Sequence, residues 1–468
     1  MPAVRPAAQG PDPSVGDLLA AWLPGRRWFP GGHGVRAEPW LAVTFDDPAA
    51  AADVVVLLVR LVGGSLPGGR MVAQVPLVLG PPGDHGPGFI AVVRTAAGDV
   101  AVHDGAAHPA GWLTMLHAMG ATGGRPDDAL VAGGRVVAGE QSNTSVLLPG
   151  VPAPGGAGAI LKVLRTVAPG PHPDVVVPQA LTRAGWDGVP RFLGALEVET
   201  PPSVALRQAQ EPPVETTTRF RQAQPAGGST ALAILSELVP DADDGFELAC
   251  DHARRGESFA HLAADLGRVV AELHAVLRQA MPPGPPLDPE AFVAALRRRV
   301  ATAVAEAPSL APRAPQVADL LDDLHRRLPP LRLQTIHGDL HLGQALHGPS
   351  GWRLLDFEGE PQRPVAERGA PDLPLRDVAG MVRSFDYAAA VGGAPDRPGW
   401  RAEAAHAFLA GYRASAPPSG MDPPTADVVL RALVLDKALY EVVYETRQRP
   451  DWAHIPLAAV DRVLDRTR

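Results

Sequence analysis

The residues best equipped for chemistry lie in two short segments. One reads Gln334-Thr335-Ile336-His337-Gly338-Asp339-Leu340-His341-Leu342-Gly343-Gln344, the other Leu354-Leu355-Asp356-Phe357-Glu358-Gly359-Glu360-Pro361. In the first, a carboxylate and a carboxamide stand five positions apart on a glycine-containing loop; in the second, a carboxylate directly follows an apolar, strand-like run. Phosphoryl transfer asks for little more than this. It needs a carboxylate to orient and deprotonate the attacking hydroxyl, and oxygen ligands to hold magnesium on a triphosphate. Asp339 is the expected base, and Gln344 with Asp356 the expected Mg2+ pair.

A phosphate-binding element is then expected upstream. Gly139-Glu140-Gln141-Ser142-Asn143-Thr144-Ser145 falls between two strand-like runs and matches neither a Walker loop nor a GxGxxG, so alone it reads as a polar hairpin. Beside the downstream motifs, Gln141, Ser142, Asn143, Thr144 and Ser145 offer hydroxyls, amides and backbone N–H groups to the phosphates of ATP. Lys162 is more pointed, because Ile160-Leu161-Lys162-Val163-Leu164 sets an ammonium inside an apolar strand. An unpaired buried ammonium is costly, and ATP phosphates would answer it; the alternative is an edge-strand lysine reaching for water. The run from Ile234 through Glu237 to Pro240 is expected, from its position, to be the hinge whose backbone meets adenine.

The elements that must position these groups form three blocks. Residues 1–125 show a helix-like stretch at Val15 to Leu23, strand-like runs at Val54 to Leu61 and Met71 to Leu79, and a helix from Trp112 to Met119. Residues 126–245 read as short strands at Arg135 to Ala138, Thr144 to Leu148, Ala159 to Leu164 and Ala231 to Leu238. The near repeat Arg207-Gln208-Ala209-Gln210 and Arg221-Gln222-Ala223-Gln224 marks 198–229 as a polar, Pro-containing flexible insertion. From 246 to 468 helical periodicity dominates, with Leu262, Leu266, Val269, Val270, Leu273 and Leu277 on one stripe. Further helices are expected near Pro289 to Val304, Val317 to Leu328, Val378 to Ala390, Ala402 to Arg413 and Asp427 to Tyr444. A β-rich lobe followed by a helical lobe is an α+β, bilobal protein-kinase-like order.

Composition bounds the partners. A net charge of -9 with scattered arginines argues against a nucleic-acid partner, which would call for clustered cations. The one cysteine, Cys250, rules out an intramolecular disulfide and reads as a small buried hydrophobe in a reducing cytoplasm. Met1 to Ser14 lacks the basic start and apolar core of a signal peptide, and no apolar run reaches membrane-spanning length.

Taken together, the chain resembles the actinobacterial maltokinases, aminoglycoside-phosphotransferase-like enzymes. The resemblance is carried by Gly139 to Ser145, His337 to Gln344 and Asp356 to Pro361, by Leu375-Arg376-Asp377-Val378 through Tyr387, by Asp436-Lys437-Ala438-Leu439-Tyr440-Glu441-Val442-Val443-Tyr444-Glu445, and by Trp22-Leu23-Pro24 with Arg27-Trp28-Phe29. It implies an N-terminal cap-like subdomain, a β-rich intermediate subdomain and a helical C-lobe. It also implies ATP-dependent formation of maltose 1-phosphate, with a trehalose synthase as possible partner and a monomeric chain.

A disaccharide site needs polar groups and aromatic faces together. Lys437, Tyr440, Glu441 and Tyr444 share one helix face and could form such a wall; a surface helix with an ion pair and two half-buried tyrosines has the same pattern. His341 either donates to a sugar hydroxyl or braces the loop, and Glu358 either meets substrate or metal or caps a turn. Arg376 and Asp377 are expected to order the loop, while Arg383 and Asp386 read as exposed helix residues, with contact to the sugar as the alternative. The resemblance leads one to expect an acidic partner for Lys162 at Val176; either Asp174 substitutes or Lys162 lacks it. Two alternatives stand beside maltose, a kinase of glucosamine or an aminoglycoside and an inactive pseudokinase scaffold.

Overall fold

Runs of branched aliphatic residues make the first half of the chain a sheet structure. The computed structural model describes residues 3–6, 12–29, 35–46, 53–63, 66, 69–137, 142–200, 228–359 and 368–465. They divide into two compact units, one built mainly from Met1–Gln179 and Pro190–Leu238, the other from Ala180–Val189, Val239–Pro361 and Ala366–Arg468.

The first unit holds, in chain order, β1 (Ala3–Pro6), α1 (Pro13–Trp22), β2 (Arg36–Asp46), β3 (Asp53–Val62), β4 (Arg70–Gly80), β5 (Phe89–Thr95), β6 (Gly98–Asp104), α2 (Pro109–Met119), α3 (Asp127–Val131) and β7 (Arg135–Val136). There follow β8 (Asn143–Leu148), β9 (Ala159–Leu164), β10 (Thr166–Val167), α4 (Pro173–Arg183, whose last turn enters the second unit), β11 (Phe192–Thr200) and β12 (Gly228–Glu237). One sheet has the order β1-β2-β3-β4-β6-β5 with β10 also on β4; the other runs β11-β12-β9-β8-β7. All pairings are antiparallel. β3 and β4 lie where the aliphatic runs predict them. β2, β5 and β6 escape notice because β2 is broken by a bulge at Pro39 and β5 is an edge strand with few buried positions. α4 is obscured by its Val175-Val176-Val177 run and internal Pro178. Of the expected insertion, Val198 to Thr200 and Gly228 to Ser229 are paired strand residues, Thr200 facing Gly228; residues 201–227 lie outside the described residues.

Arg165 joins the two sheets. It sits between β9 and β10, 1% exposed, with its guanidinium 4.4 Å from the Trp28 ring centroid. Nη2 donates to Asp104 Oδ2 at 2.7 Å and Nε to Thr144 Oγ1 at 2.9 Å, while its backbone carbonyl accepts from Gln74 N. Removing one partner of a buried ion pair leaves an uncompensated charge.

The second unit continues with β13 (Asp243–Asp244), α5 (Gly245–Arg255), α6 (Ala260–Ala280), α7 (Pro289–Glu306), α8 (Ala314–Arg327), β14 (Ala345–Gly348), β15 (Gly351–Leu354), α9 (Leu375–Val391), α10 (Arg397–Ser415), α11 (Pro423–Gln448) and α12 (His454–Leu464). The expected helices are all present. α6 buries Leu266, Val269, Val270, Leu273 and Leu277, while Leu262 stays half-exposed. α6 and α10 pack backbone to backbone, since a Cβ on Gly267 would lie 2.1 Å from Phe408 O and one on Gly411 2.1 Å from Ala264 O. No helix among the described residues is long and apolar enough to cross a membrane.

Asp104→Ala is expected to lower the unfolding free energy by ~3–5 kcal/mol, by stranding Arg165. Asp99→Ala, which removes an exposed partner of Arg94, should leave the urea midpoint nearly unchanged. Urea titration of both variants checks this.

Candidate functional site

Residues 335–341 form no regular structure, so their N–H groups need partners from elsewhere. α9 supplies them. Asp377 Oδ2 accepts from His337 N at 2.8 Å, Oδ1 accepts from Gly338 N at 2.9 Å, and Ser384 Oγ accepts from Leu342 N at 3.2 Å. Gly380 lets the loop approach, because a Cβ there would stand 2.4 Å from Leu340 O. Gly338 takes a φ of 90°, which a side chain would strain. The ordering role expected of Asp377 is thus visible in its contacts.

Asp377 is 1% exposed and is backed by α6, where His274 Nε2 donates to Oδ2 at 2.9 Å and His274 Nδ1 meets the Tyr412 hydroxyl at 3.0 Å. Burial pushes its carboxyl up. The hydrogen bond and charge of His274, the His337 charge and the Gly338 N–H outweigh that, leaving it below the usual carboxylate range. His337 Nε2 donates to Leu355 O at 2.7 Å, and its ring lies 4.6 Å from that of Phe357. The first motif is therefore tied to the second.

That tie brings Gln344 and Asp356 together. Leu355 N donates to Gln344 O at 2.9 Å, and Gln344 Nε2 donates to Asp356 Oδ2 at 3.1 Å. Asp356 holds a left-handed φ of 62°, a strained conformation of the kind found at functional positions. Carboxylate oxygens of Asp356 and Glu358 lie within 4.8 Å of each other. With its amide nitrogen turned to Asp356, Gln344 keeps Oε1 as an acceptor, so the cluster presents hard oxygen donors of the kind magnesium takes. Arg368 has its pKa lowered by burial, an effect the nearby Glu358 charge opposes.

Asp339 Oδ1 accepts from Lys437 Nζ at 3.1 Å. Lys437 is held from behind through its neighbour Asp436, which accepts from Arg299 at 2.7 and 2.8 Å and from Arg376 at 3.1 Å. Arg376 also donates to Asp372 at 2.6 Å. Asp339 and α11 are thus joined in one charged network. His341 Nδ1 accepts from Gly343 N at 3.1 Å, so the loop-bracing half of its expected role is present and Nε2 bears the proton. Burial keeps this ring below the ordinary imidazole range, with Asp339 pulling the other way and Lys437 adding to the fall.

On the same face of α11, Tyr440 and Tyr444 stack with centroids 6.5 Å apart, at 37% and 40% exposure. Glu441 accepts from Arg383 Nε at 2.8 Å and Nη2 at 2.5 Å. Arg383 and Asp386, expected on an exposed surface, are buried instead. They pair with each other, and Arg462 reaches Asp386 Oδ1 at 2.5 Å. Charged side chains read as surface residues one at a time, whereas mutual pairing lets them enter the interior.

In the first unit, Lys162 Nζ donates to Asp174 Oδ2 at 2.6 Å. Asp174, in the first turn of α4, therefore substitutes for the acidic residue expected at Val176. Ser142 is exposed, and Gln141 lies outside the described residues. Asn143, Thr144 and Ser145 are not turn residues but buried members of β8. Thr144 binds Arg165, Asn143 Oδ1 accepts from Arg165 N at 3.3 Å, and Ser145 faces Lys162 across the strands. Glu237 ends β12, and its carboxylate accepts from Gly155 N.

A model described as a phosphotransferase enzyme family matches residues 222–418, and one described as a maltokinase N-terminal cap domain matches residues 22–107. A glucosamine kinase of Streptacidiphilus jiangxiensis is 30% identical over 390 residues, spanning 76% of this chain and 81% of its own. The chain belongs to the phosphotransferase enzyme family. A glucosamine kinase of Mycolicibacterium smegmatis (strain ATCC 700084 / mc(2)155) is 28% identical to this phosphotransferase over 351 residues, covering 71% of this chain and 80% of that one. Two solved structures are similar over 97% of the chain and 100% of their own. A glucosamine kinase in crystal form B has a TM-score of 0.64 at 24% identity, and a glucosamine kinase in complex with glucosamine, ADP and inorganic phosphate 0.60 at 25%. The expected kinase-like α+β fold and the cap-bearing, aminoglycoside-phosphotransferase-like family are those of this protein.

Because the Asp377 pKa is depressed on folding, its stabilisation is present above the ordinary value of 3.8 and lost as pH falls through the lower folded value. Asp377→Asn is expected to cost ~2–3 kcal/mol at neutral pH and to flatten the acid limb of the stability profile. Urea unfolding between neutral and acid pH measures both.

Proposed function

We propose that this phosphotransferase is an ATP-dependent sugar kinase that phosphorylates maltose at its anomeric hydroxyl, yielding maltose 1-phosphate and ADP. The observation that carries the reading is the Asp339 carboxylate, oriented by Lys437, in the same compact unit as the Gln344–Asp356 pair. In the reaction, the acceptor hydroxyl loses its proton to Asp339 as its oxygen attacks the terminal phosphorus, and ADP leaves. Lys437, 3.1 Å from Oδ1, aims the carboxylate. A divalent cation held by Gln344 and Asp356 would supply charge neutralisation to the phosphates. Lys162, aligned by Asp174, is assigned to the nucleotide phosphates, with Ser142 and the hinge at Glu237 as further nucleotide contacts.

For the acceptor, the stacked Tyr440 and Tyr444 offer aromatic faces to pyranose rings, next to Lys437 and Glu441. His341 Nε2 is assigned as a donor to a sugar hydroxyl, and Glu358 as a substrate or cation contact. An ammonium beside the base favours a neutral sugar over a cationic one at that point. In this reading residues 1–125 are a cap-like subdomain, 126–245 an intermediate one and 246–468 the helical lobe. Maltose would come from trehalose through a trehalose synthase, and the product would feed α-glucan synthesis. A second reading, phosphorylation of glucosamine or a related amino sugar, is favoured by the name the curated relatives carry.

Coupled measurement of ADP release with ATP, magnesium and maltose, glucose, glucosamine or trehalose separates the two. Turnover with maltose is expected; turnover with glucosamine and none with maltose moves the assignment to amino sugars. Asp339→Asn should lower kcat by roughly 10²–10⁴-fold while sparing ATP binding. Wild-type activity in that variant would remove Asp339 from the base role.

A further inference from the structure

The first unit contains a second group of side chains with ligand chemistry that phosphoryl transfer does not use. Asp84 lies between β4 and β5, His103 near the end of β6, and His108 at the start of α2. Each offers a ligand atom within 4.8 Å of the other two.

His103 is the decisive member. Its ring is wholly buried, and Nδ1 lies 3.1 Å from Pro87 O, so Nδ1 carries the proton that this carbonyl accepts. Nε2 is left as a bare lone pair, buried and without a hydrogen-bond partner. Native interiors rarely leave such an atom unanswered. It faces Asp84 Oδ2 at 3.6 Å, too long for a hydrogen bond. That separation suits two ligands around a tetrahedral ion with bonds of about 2.0–2.1 Å. A carbonyl behind the distal ring nitrogen is also how metal-ligating imidazoles are fixed.

His108 completes the group, its ring 4.9 Å from that of His103. Its Nδ1 accepts from Ala110 N at 3.1 Å, so ligation through Nδ1 would exchange that helix-cap hydrogen bond for the cation. Asp84 Oδ1 accepts from Gly86 N at 2.9 Å, which leaves Oδ2 facing His103.

We propose that Asp84, His103 and His108 form a site for a divalent transition metal of the zinc class, which pins the β4–β5 turn to β6 and to the start of α2. Two nitrogens and one carboxylate leave a fourth position for water, and the donor set suits zinc, cobalt or nickel rather than magnesium. The cation serving the nucleotide would therefore not fill it.

The full-length chain, stripped with a chelator, is titrated with zinc chloride by calorimetry and with cobalt by visible absorption. Saturable uptake at this site, a tetrahedral cobalt spectrum and a higher Tm are expected. Asp84→Asn keeps the Gly86 acceptor and should weaken zinc binding by about tenfold or more, and His108→Asn likewise. Absence of saturable binding would overturn the proposal. So would equal affinity in the wild type and both variants, the result if Asp84 and His103 form only an ion pair.

Discussion

A carboxylate sealed from water organises the phosphotransfer motif. Asp377 spends both oxygens on the backbone of the loop, at His337 and Gly338, and is itself steadied by His274. Each bond is worth little in water and much more in an interior where nothing else can replace it. The direction in which Asp339 leaves the loop follows from those two N–H groups, and the path of the chain toward Gln344 from the Ser384 hydroxyl about two helix turns further along. A single helix, α9, thus reads out as loop geometry.

Charge does the corresponding work on the opposite side of Asp339. The helix bearing Lys437 is anchored at the adjacent position by Asp436, which gathers Arg299 from α7 and Arg376 from α9. Further along, Glu441 and Glu445 engage Arg383 and Tyr387 of α9. Asp339, Lys437 and the tyrosine face therefore share one framework, and electrostatic preorganisation of this kind is what phosphoryl transfer draws on. Glu441 shows how one side chain can serve two ends: its expected place in a sugar wall and its observed grip on Arg383 both use the same carboxylate.

The two acidic motifs could be found in the sequence because each is contiguous and its residue types are demanded by the chemistry. Helices with strong apolar stripes, such as α6, were equally legible. What local pattern could not show was pairing at a distance. Asn143 and Thr144 look like part of a polar turn until Arg165 comes into view, and the sequence names Asp174 as a candidate partner of Lys162 without deciding between it and no partner. Arg383 and Asp386 read as surface residues for the same reason, since a charge alone signals solvent and only its partner reveals burial. Edge strand β5 hid through exposure, having too few interior positions to stand out.

The junction at Arg165 has a consequence for the chain's architecture. β9, which carries Lys162, runs through this one residue into β10, which is hydrogen-bonded to β4 of the cap-matching sheet. Trp28 and Asp104, which lie within the cap-matching stretch, supply its stacking face and its counter-charge. The cap is accordingly not an accessory hung from a self-sufficient enzyme: cutting it away would strip the guanidinium three residues from Lys162 of its counter-charge and stacking face, leaving Thr144 as its side-chain partner, and would take from β10 the strand it pairs with.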